Sequence, residues 1–261
     1  MTNQGDSTIS ILVIASRETG GSPLATAGGV SLSEPPSYRR AALYVDGFNF
    51  YHALDELAQP HLKWVDLAAL GNRIVPRNKE RMIKVRYFTA LKPGANMVDK
   101  NKRHREYITA LKYFNVKVDE GHFINDQVDC RGCGRVWDKP SEKETDVNIA
   151  LRLYDDAYQD VFDVAYLLTA DSDQGATARM LKYRFPNLRL ISVVPPGMEA
   201  SKAIMTYADG RLKLPLEYIE DCLLPSMMME GPADKQKLIF RRPAEYDPPA
   251  GWVPPKSRPK A

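Results

Sequence analysis

The chain of 261 residues has three cysteines, four histidines and three tryptophans, and no apolar stretch approaching the roughly 20 residues that a bilayer-spanning helix requires. The run Ile9-Ser10-Ile11-Leu12-Val13-Ile14-Ala15 is too short for such a span and has no basic segment before it, so no secretion signal is read and a cytoplasmic location is expected, with no membrane partner. After the first strand candidate there is no glycine-rich turn of the kind that admits a dinucleotide's pyrophosphate, because Asp46-Gly47-Phe48-Asn49 stands there. Internal repeats are lacking. The formal net charge of +3 is too small to announce a nucleic-acid partner on its own.

What is present reads as one α/β domain between two tails. Residues 1–38 are rich in Gly, Ser, Thr and Pro and are expected to form a disordered leader, and residues 225–261, with Pro248-Pro249, Pro254-Pro255, Lys256 and Arg258, an extended Pro-rich basic tail. Between them, over 39–224, strand candidates at 41–45, 83–90, 116–123, 164–170 and 188–194 alternate with helical segments at 48–58, 99–114, 142–158, 174–185 and 199–207. A last short helix is expected at 216–223, opened by Pro215. Strands alternating with helices imply an α/β fold with a mainly parallel central sheet and helices on both faces.

Acids sit at the joints of this pattern. Ala42-Leu43-Tyr44-Val45-Asp46 and Leu167-Leu168-Thr169-Ala170-Asp171 are apolar runs of strand length that stop at an aspartate, which is where an open α/β sheet places its ligand. Asp146 is expected inside a helix, on a stripe with Ala150, Leu153 and Ala157 that packs on the sheet, with Glu142 one turn earlier. An ionised acid on an apolar face costs on the order of several kcal/mol unless it is paired, and a shared cation removes that cost. Oxygen ligands with no histidine nearby favour Mg²⁺ or Mn²⁺ over Zn²⁺. Taken alone, Asp46 reads equally as a turn cap and Asp173 as a helix N-cap.

Through Tyr44-Val45-Asp46-Gly47-Phe48-Asn49, Lys143-Glu144-Thr145-Asp146-Val147 and Thr169-Ala170-Asp171-Ser172-Asp173, in that order, the chain resembles the NYN family, a branch of the PIN-like metal-dependent nucleases that includes LabA-like proteins. The resemblance covers roughly residues 40–215. It implies a PIN-like three-layer sandwich and a Mg²⁺- or Mn²⁺-dependent endoribonuclease that hydrolyses RNA without a covalent enzyme intermediate. The site it implies has Asp46, Asp146 and Asp171 as principal metal ligands, Asp173 serving a second or water-bridged ion, and Asn49 orienting a ligand or phosphate, with Thr169 or Ser172 donating to a carboxylate. One departure stands out: similar proteins carry an aromatic after the last aspartate, where this chain has Gln174.

Lys100, Lys102, Arg103, His104 and Arg105 form a dense basic cluster, with Lys84, Arg86, Lys92, Lys112 and Lys117 around it in sequence and Tyr107 and Tyr113 available for stacking. The cluster suits an RNA backbone and equally suits a solvated helix face. Cys130-Arg131-Gly132-Cys133-Gly134 is half of a zinc knuckle within a segment, 125–140, read as an insertion over the approach to Asp146. His122, Asp138 or a second chain in a homo-oligomer would have to complete a structural Zn²⁺ site, and a pair of reduced thiols is the alternative. Two rival functions remain open: a non-catalytic RNA-binding or scaffold protein that keeps the nuclease fold, and a haloacid-dehalogenase-type phosphatase. The phosphatase wants a second aspartate two residues after Asp46, where Phe48 stands.

Overall fold

The computed structural model describes residues 38–92 and 97–257, without the side chains of 124–126 and 137–143. The expected leader, apart from Tyr38, lies outside the described residues. Eight residues of β1 (Arg39–Asp46) run through the centre of a seven-stranded sheet ordered β4-β3-β2-β1-β5-β6-β7. The other strands of the sheet are β2 (Glu80–Ala90), β3 (Lys117–Asp129), β4 (Val136–Lys143), β5 (Val164–Leu168), β6 (Arg189–Val194) and β7 (Gly210–Lys213). Six strands are parallel, and only β4 runs against its neighbour β3.

Ala41 to Val45 are all fully buried, an unbroken apolar run along β1 without polar alternation, as a strand covered on both faces must have. Leu43 and Val45 face one core with Phe50 and Leu54 of α1 (Gly47–Glu56), Leu67 and Leu70 of α2 (Leu67–Ile74), and Tyr107 and Leu111 of α3 (Val98–Tyr113). Ala42 and Tyr44 face the other, with Ile149 and Leu153 of α4 (Thr145–Tyr158), Ala178 and Leu181 of α5 (Gln174–Arg184) and Ile204 of α6 (Lys202–Met205). A final helix, α7 (Leu216–Glu220), adds Ile219 to the first core. This is the three-layer α/β arrangement expected from the alternation of elements.

The same two-residue period separates the basic residues of β2 from the cluster on α3. Val85 and Tyr87 enter the core that holds α3, so Lys84 and Arg86 project to the opposite face. There they meet buried Asp156: Lys84 Nζ and Arg86 Nε donate to its two carboxylate oxygens at 2.8 and 3.0 Å, and the Tyr44 hydroxyl adds a third bond at 2.8 Å. Although burial pushes Asp156 up, the bonds from Arg86, Lys84 and Tyr44 hold it below the usual carboxylate range. Lys84 and Arg86 therefore leave the expected basic patch and serve the fold.

Three further segments differ from the sequence reading. The Cys-bearing stretch is a hairpin that extends the sheet, with His122 opposite Lys143 and Asp129 opposite Val136; its Gly and Pro residues obscure the strand period. Helix α2 went unread although Asp66 caps it, Oδ1 accepting from the Ala68 and Ala69 amides at 2.9 and 3.0 Å. The segment from residue 225, expected as an extended tail, carries a second hairpin, β8 (Met227–Glu230) with β9 (Lys237–Arg241). Phe240 of that hairpin is 1% exposed against Trp64, Tyr113 and Phe114. Beyond it Trp252 meets the His61 ring at 5.2 Å and the Lys256 amide donates to Asp221 at 3.0 Å. A few apolar anchors fix a stretch whose overall composition reads as tail.

Candidate metal centre

From β1 the chain steps outward to β2 and β3, and only later fills the other side with β5, β6 and β7. The carboxyl ends of β1 and β5 therefore flank the point where the strand order reverses, the usual ligand crevice of an open α/β sheet. Register makes the two ends nearly flush, with Val45 opposite Leu168, the last residue of β5, and Asp46 one residue beyond. Asp46 leaves β1 at this edge and caps α1, Oδ1 accepting from the Asn49 amide at 3.0 Å. The capping role and the site role thus fall on one side chain. Gly47 is needed here for space, since a Cβ would lie 2.4 Å from the Phe88 carbonyl oxygen and 2.8 Å from the Tyr87 ring.

The β5–α5 loop is locked onto Asp46 by short-range bonds. The Thr169 hydroxyl donates to Asp46 Oδ2 at 2.8 Å and accepts from the Asp171 amide at 3.0 Å, while the Ala170 amide donates to Asn49 Oδ1 at 2.9 Å. Asn49 thus ties α1 to this loop. Asp171 Oδ1 in turn accepts from the Asp173 amide at 2.9 Å.

Asp146 arrives from the far side of the sheet. Glu144, in the left-handed region at φ 76°, turns the chain sharply from β4 into α4, a conformation that persists in a non-glycine residue only where surroundings enforce it. The helix starts at Thr145, so Asp146 lies in its first turn. The sequence reading put Asp146 on the sheet-facing stripe. The buried stripe runs through Thr145, Ile149, Leu153, Asp156 and Ala157, so Leu153 and Ala157 of the expected stripe are buried, whereas Asp146 is exposed and stands beside it at the sheet edge. Glu142 belongs to β4, opposite Phe123, and its side chain lies outside the described residues.

One ligand oxygen from each of Asp46, Asp146 and Asp171 lies within 4.8 Å of the other two. Metal–oxygen bonds of about 2.0–2.6 Å place opposite ligands of one ion about 4–5 Å apart, so three all-oxygen donors at this spread fit a hard divalent cation. Their electrostatics point the same way. Burial pushes the Asp46 carboxyl up to about 6 against the bonds from Asn49 and Thr169, and the charges of Asp146 and Asp171 add to the rise. Asp146 is likewise raised, first by desolvation and then by Asp171 and Asp173, while a bond from Gln174 opposes this. Like-charged acids held this close favour a cation among them. Asp173 is exposed and lies outside the three-acid group among the described residues.

The sequence pattern of the NYN domain, a PIN-like nuclease family, matches residues 40–211, which contain all three acids and every parallel strand from β2 to β6. The chain belongs to the NYN domain family. A curated relative, 6-hydroxy-3-succinoylpyridine 3-monooxygenase HspA of Pseudomonas putida, is 26% identical over 190 residues, covering 60% of this chain and 59% of that protein. The chain thus spans under two thirds of that relative's length. A solved structure of a protein of unknown function from Vibrio parahaemolyticus is similar over 74% of this chain and 100% of that one, at 17% identity and a TM-score of 0.48.

Within this NYN domain the substituted Gln174 is buried, 1% exposed. Its Nε2 donates to the Asp146 backbone oxygen and Oδ1 at 3.3 and 3.2 Å, and its Oε1 accepts from Thr177 at 2.8 Å. The amide therefore bridges α5 to α4 and orients Asp146, a role that sequence could signal only as a polar residue where an aromatic was expected. Thr145, beside Asp146, has a buried hydroxyl with no hydrogen-bond partner among the described residues.

The expected RNA-binding residues divide on α3. Lys100 and Arg103 face a pocket next to α1, whereas Lys102 and Arg105 do not line it. Arg103 pairs with Glu245 at 2.8 Å and Lys112 with Glu120 at 3.1 Å. Cys130 and Cys133 sit at the tip of the β3–β4 hairpin, where amides of Gly132 and Cys133 and the Cys133 side chain lower the Cys130 thiol. His122 is eight residues away along β3, roughly 26 Å at about 3.3 Å per residue, and it contacts Glu144 instead at 3.1 Å. Strand geometry thus removes His122 as a zinc partner. Asp138 stands opposite Gln127, its side chain outside the described residues. Among the described residues no third ligand joins the two thiols.

Proposed function

We propose that this NYN domain is an endoribonuclease that hydrolyses RNA phosphodiesters in the cytoplasm with Mg²⁺ or Mn²⁺ as its ion. The observation that carries the reading is the convergence of Asp46, Asp146 and Asp171, from three separate segments, to within 4.8 Å at the switch point of the sheet. A bound divalent ion supplies Lewis-acid polarisation of the phosphodiester and lowers the pKa of an attacking water. The chain's own residues hold and orient. Asp46, Asp146 and Asp171 are the ligands, Gln174 sets the angle of Asp146, and Thr169 fixes Asp46 against the Asp171 loop. Asn49 spends Oδ1 on Ala170, which leaves its amide N–H groups to donate to a phosphate oxygen. Asp173 would serve a second or water-bridged ion. On α3, Lys100, Lys102, Arg103 and Arg105 contribute phosphate contacts to RNA.

Labelled single-stranded RNA incubated with Mn²⁺ tests the reading, comparing wild type with Asp46→Asn and Asp171→Asn. Cleavage by wild type alone supports it, and equal degradation by all three proteins sinks it. RNA that is retained but never cut, at any divalent ion, favours the non-catalytic binding protein. The curated relative motivates a second reading, action on a hydroxypyridine, which predicts an oxygenated product when 6-hydroxy-3-succinoylpyridine is supplied with dioxygen and a reductant. That product, without RNA cleavage, would replace the nuclease assignment.

A further inference from the structure

Gly47 and Phe48, which directly follow Asp46, line a pocket of about 240 Å³ between α1, the end of β2 and α3. Its walls are aromatic. Phe48, Tyr51 and Tyr246 line it, and the Lys63 ammonium sits 4.5 Å from the Tyr51 ring centroid, where its bond to Asp55 helps fix it. Among the described residues four cations, Lys63, Lys92, Lys100 and Arg103, line the same space, and no carboxylate does. Two of them are engaged, Lys63 with Asp55 and Arg103 with Glu245. Lys92 and Lys100 are exposed, with no ion-pair partner among the described residues. Polar groups also line the pocket: His104 Nε2 is 2.9 Å from the Thr89 hydroxyl, and Asn101 donates to the Lys92 carbonyl at 2.8 Å.

Aromatic walls with unpaired cations and no acid suit a planar ring that carries an anion. The pocket is linked to the acid cluster through the chain, since its lining residues Gly47 and Phe48 follow Asp46 directly, and its size admits one ring system and not a run of stacked bases. We propose that it is a nucleotide subsite, which takes the base of the residue flanking the scissile phosphate between Phe48, Tyr51 and Tyr246 and that residue's own phosphate on Lys92 and Lys100. This rests on the nuclease reading and deepens it: a base must leave its helical stack to enter, so the substrate is single-stranded at the cut.

Titration of the full-length protein with metal chelated isolates the pocket from catalysis. The ligands are AMP, adenosine, ribose 5-phosphate and nicotinate, followed by ligand-observed NMR and calorimetry. AMP is expected to bind at least tenfold tighter than ribose 5-phosphate. Lys100→Ala is expected to weaken AMP at least fivefold and leave adenosine unchanged, and Tyr51→Ala to weaken both; each side chain is exposed, and an unchanged melting temperature certifies the fold. Equal affinity for AMP and ribose 5-phosphate overturns the proposal, as does indifference to both substitutions. Binding of nicotinate without AMP overturns it in favour of a free heteroaromatic acid. Nucleotide binding without RNA cleavage would leave the subsite standing and remove the nuclease, whereas cleavage with no effect of Lys100→Ala or Tyr51→Ala on AMP would do the reverse.

Discussion

Replacing Asp46 by asparagine should make the metal-free protein more stable at neutral pH and remove its response to divalent ions. Asp46 is 4% exposed, and its carboxyl is raised from 3.8 to about 6. At about 1.4 kcal/mol for each tenfold change in proton affinity, keeping it ionised at pH 7 costs about 3 kcal/mol. The sign follows from linkage. Between about pH 4 and 6 the folded protein binds more protons than the unfolded chain, so unfolding free energy falls as pH rises through that window and levels above it. This is opposite to an aspartate in a salt bridge. Asparagine removes the charge but presents an amide to Thr169, whose hydroxyl donates to Asp46 and accepts from the Asp171 amide; losing one such bond costs about 1 kcal/mol. The balance, about 2 kcal/mol, raises Tm by roughly 4–8 °C for a domain of this size. Mn²⁺ at a hundred times its Kd should stabilise wild type by about 2.7 kcal/mol and the variant hardly at all, with wild-type ion affinity climbing as pH passes 6. Differential scanning fluorimetry across pH 4–8, with and without Mn²⁺, reads each of these. A variant that melts below wild type at pH 7, or that keeps the full Mn²⁺ shift, refutes the reasoning.

Gln174→Leu should keep the buried volume but free Asp146, weakening Mn²⁺ binding by about 10- to 100-fold, as loss of an outer-shell partner does; calorimetry showing unchanged affinity removes Gln174 as a positioning residue. Asp156→Ala leaves Lys84 and Arg86 without their shared acid at a site 2% exposed, so urea unfolding should show a loss of about 3–5 kcal/mol with unchanged cleavage per folded molecule. Gly175→Ala sets a Cβ 2.5 Å from the Ala203 Cβ; overpacking of this kind costs about 1–3 kcal/mol, and a Tm equal to wild type would show that α5 and α6 separate freely.

Asp46 and Asp171 were legible because a parallel strand covered on both faces writes itself as a continuous apolar run, and the residue that ends the run is then at the crevice by topology. Asp146 was legible as an acid in the right place for the wrong reason. A shift of one residue along a helix turns a side chain by about 100°, enough to move it from the sheet-facing stripe held by Thr145 and Ile149 to the edge, and the helix start depended on a left-handed Glu144 that periodicity does not encode. The hairpin carrying Cys130 and Cys133 and the four-residue strand β7 were hidden for a related reason, since Gly and Pro beside or within these edge strands read as turn signals that outweigh the strand pattern.

The basic patch and the pocket show a different kind of loss. Sequence groups Lys84, Arg86 and Lys100 as neighbours of one charge, but charge says nothing about which side of a sheet a residue faces. β2 sends Lys84 and Arg86 down to Asp156 while α3 holds Lys100 and Arg103 above, so one apparent cluster becomes a structural network and a ligand wall. The wall itself is assembled from α1, β2, α3 and Tyr246, the last of these separated from Phe48 by almost the whole domain. Tyr246 reaches it from a stretch that reads as tail, where Phe240 and Tyr246 both pack against Trp64 and Glu245 pairs with Arg103. Acids that mark the ends of core strands are therefore written locally and can be found by reading, whereas a surface that recognises a ring and its charge is written across the fold and has to be seen.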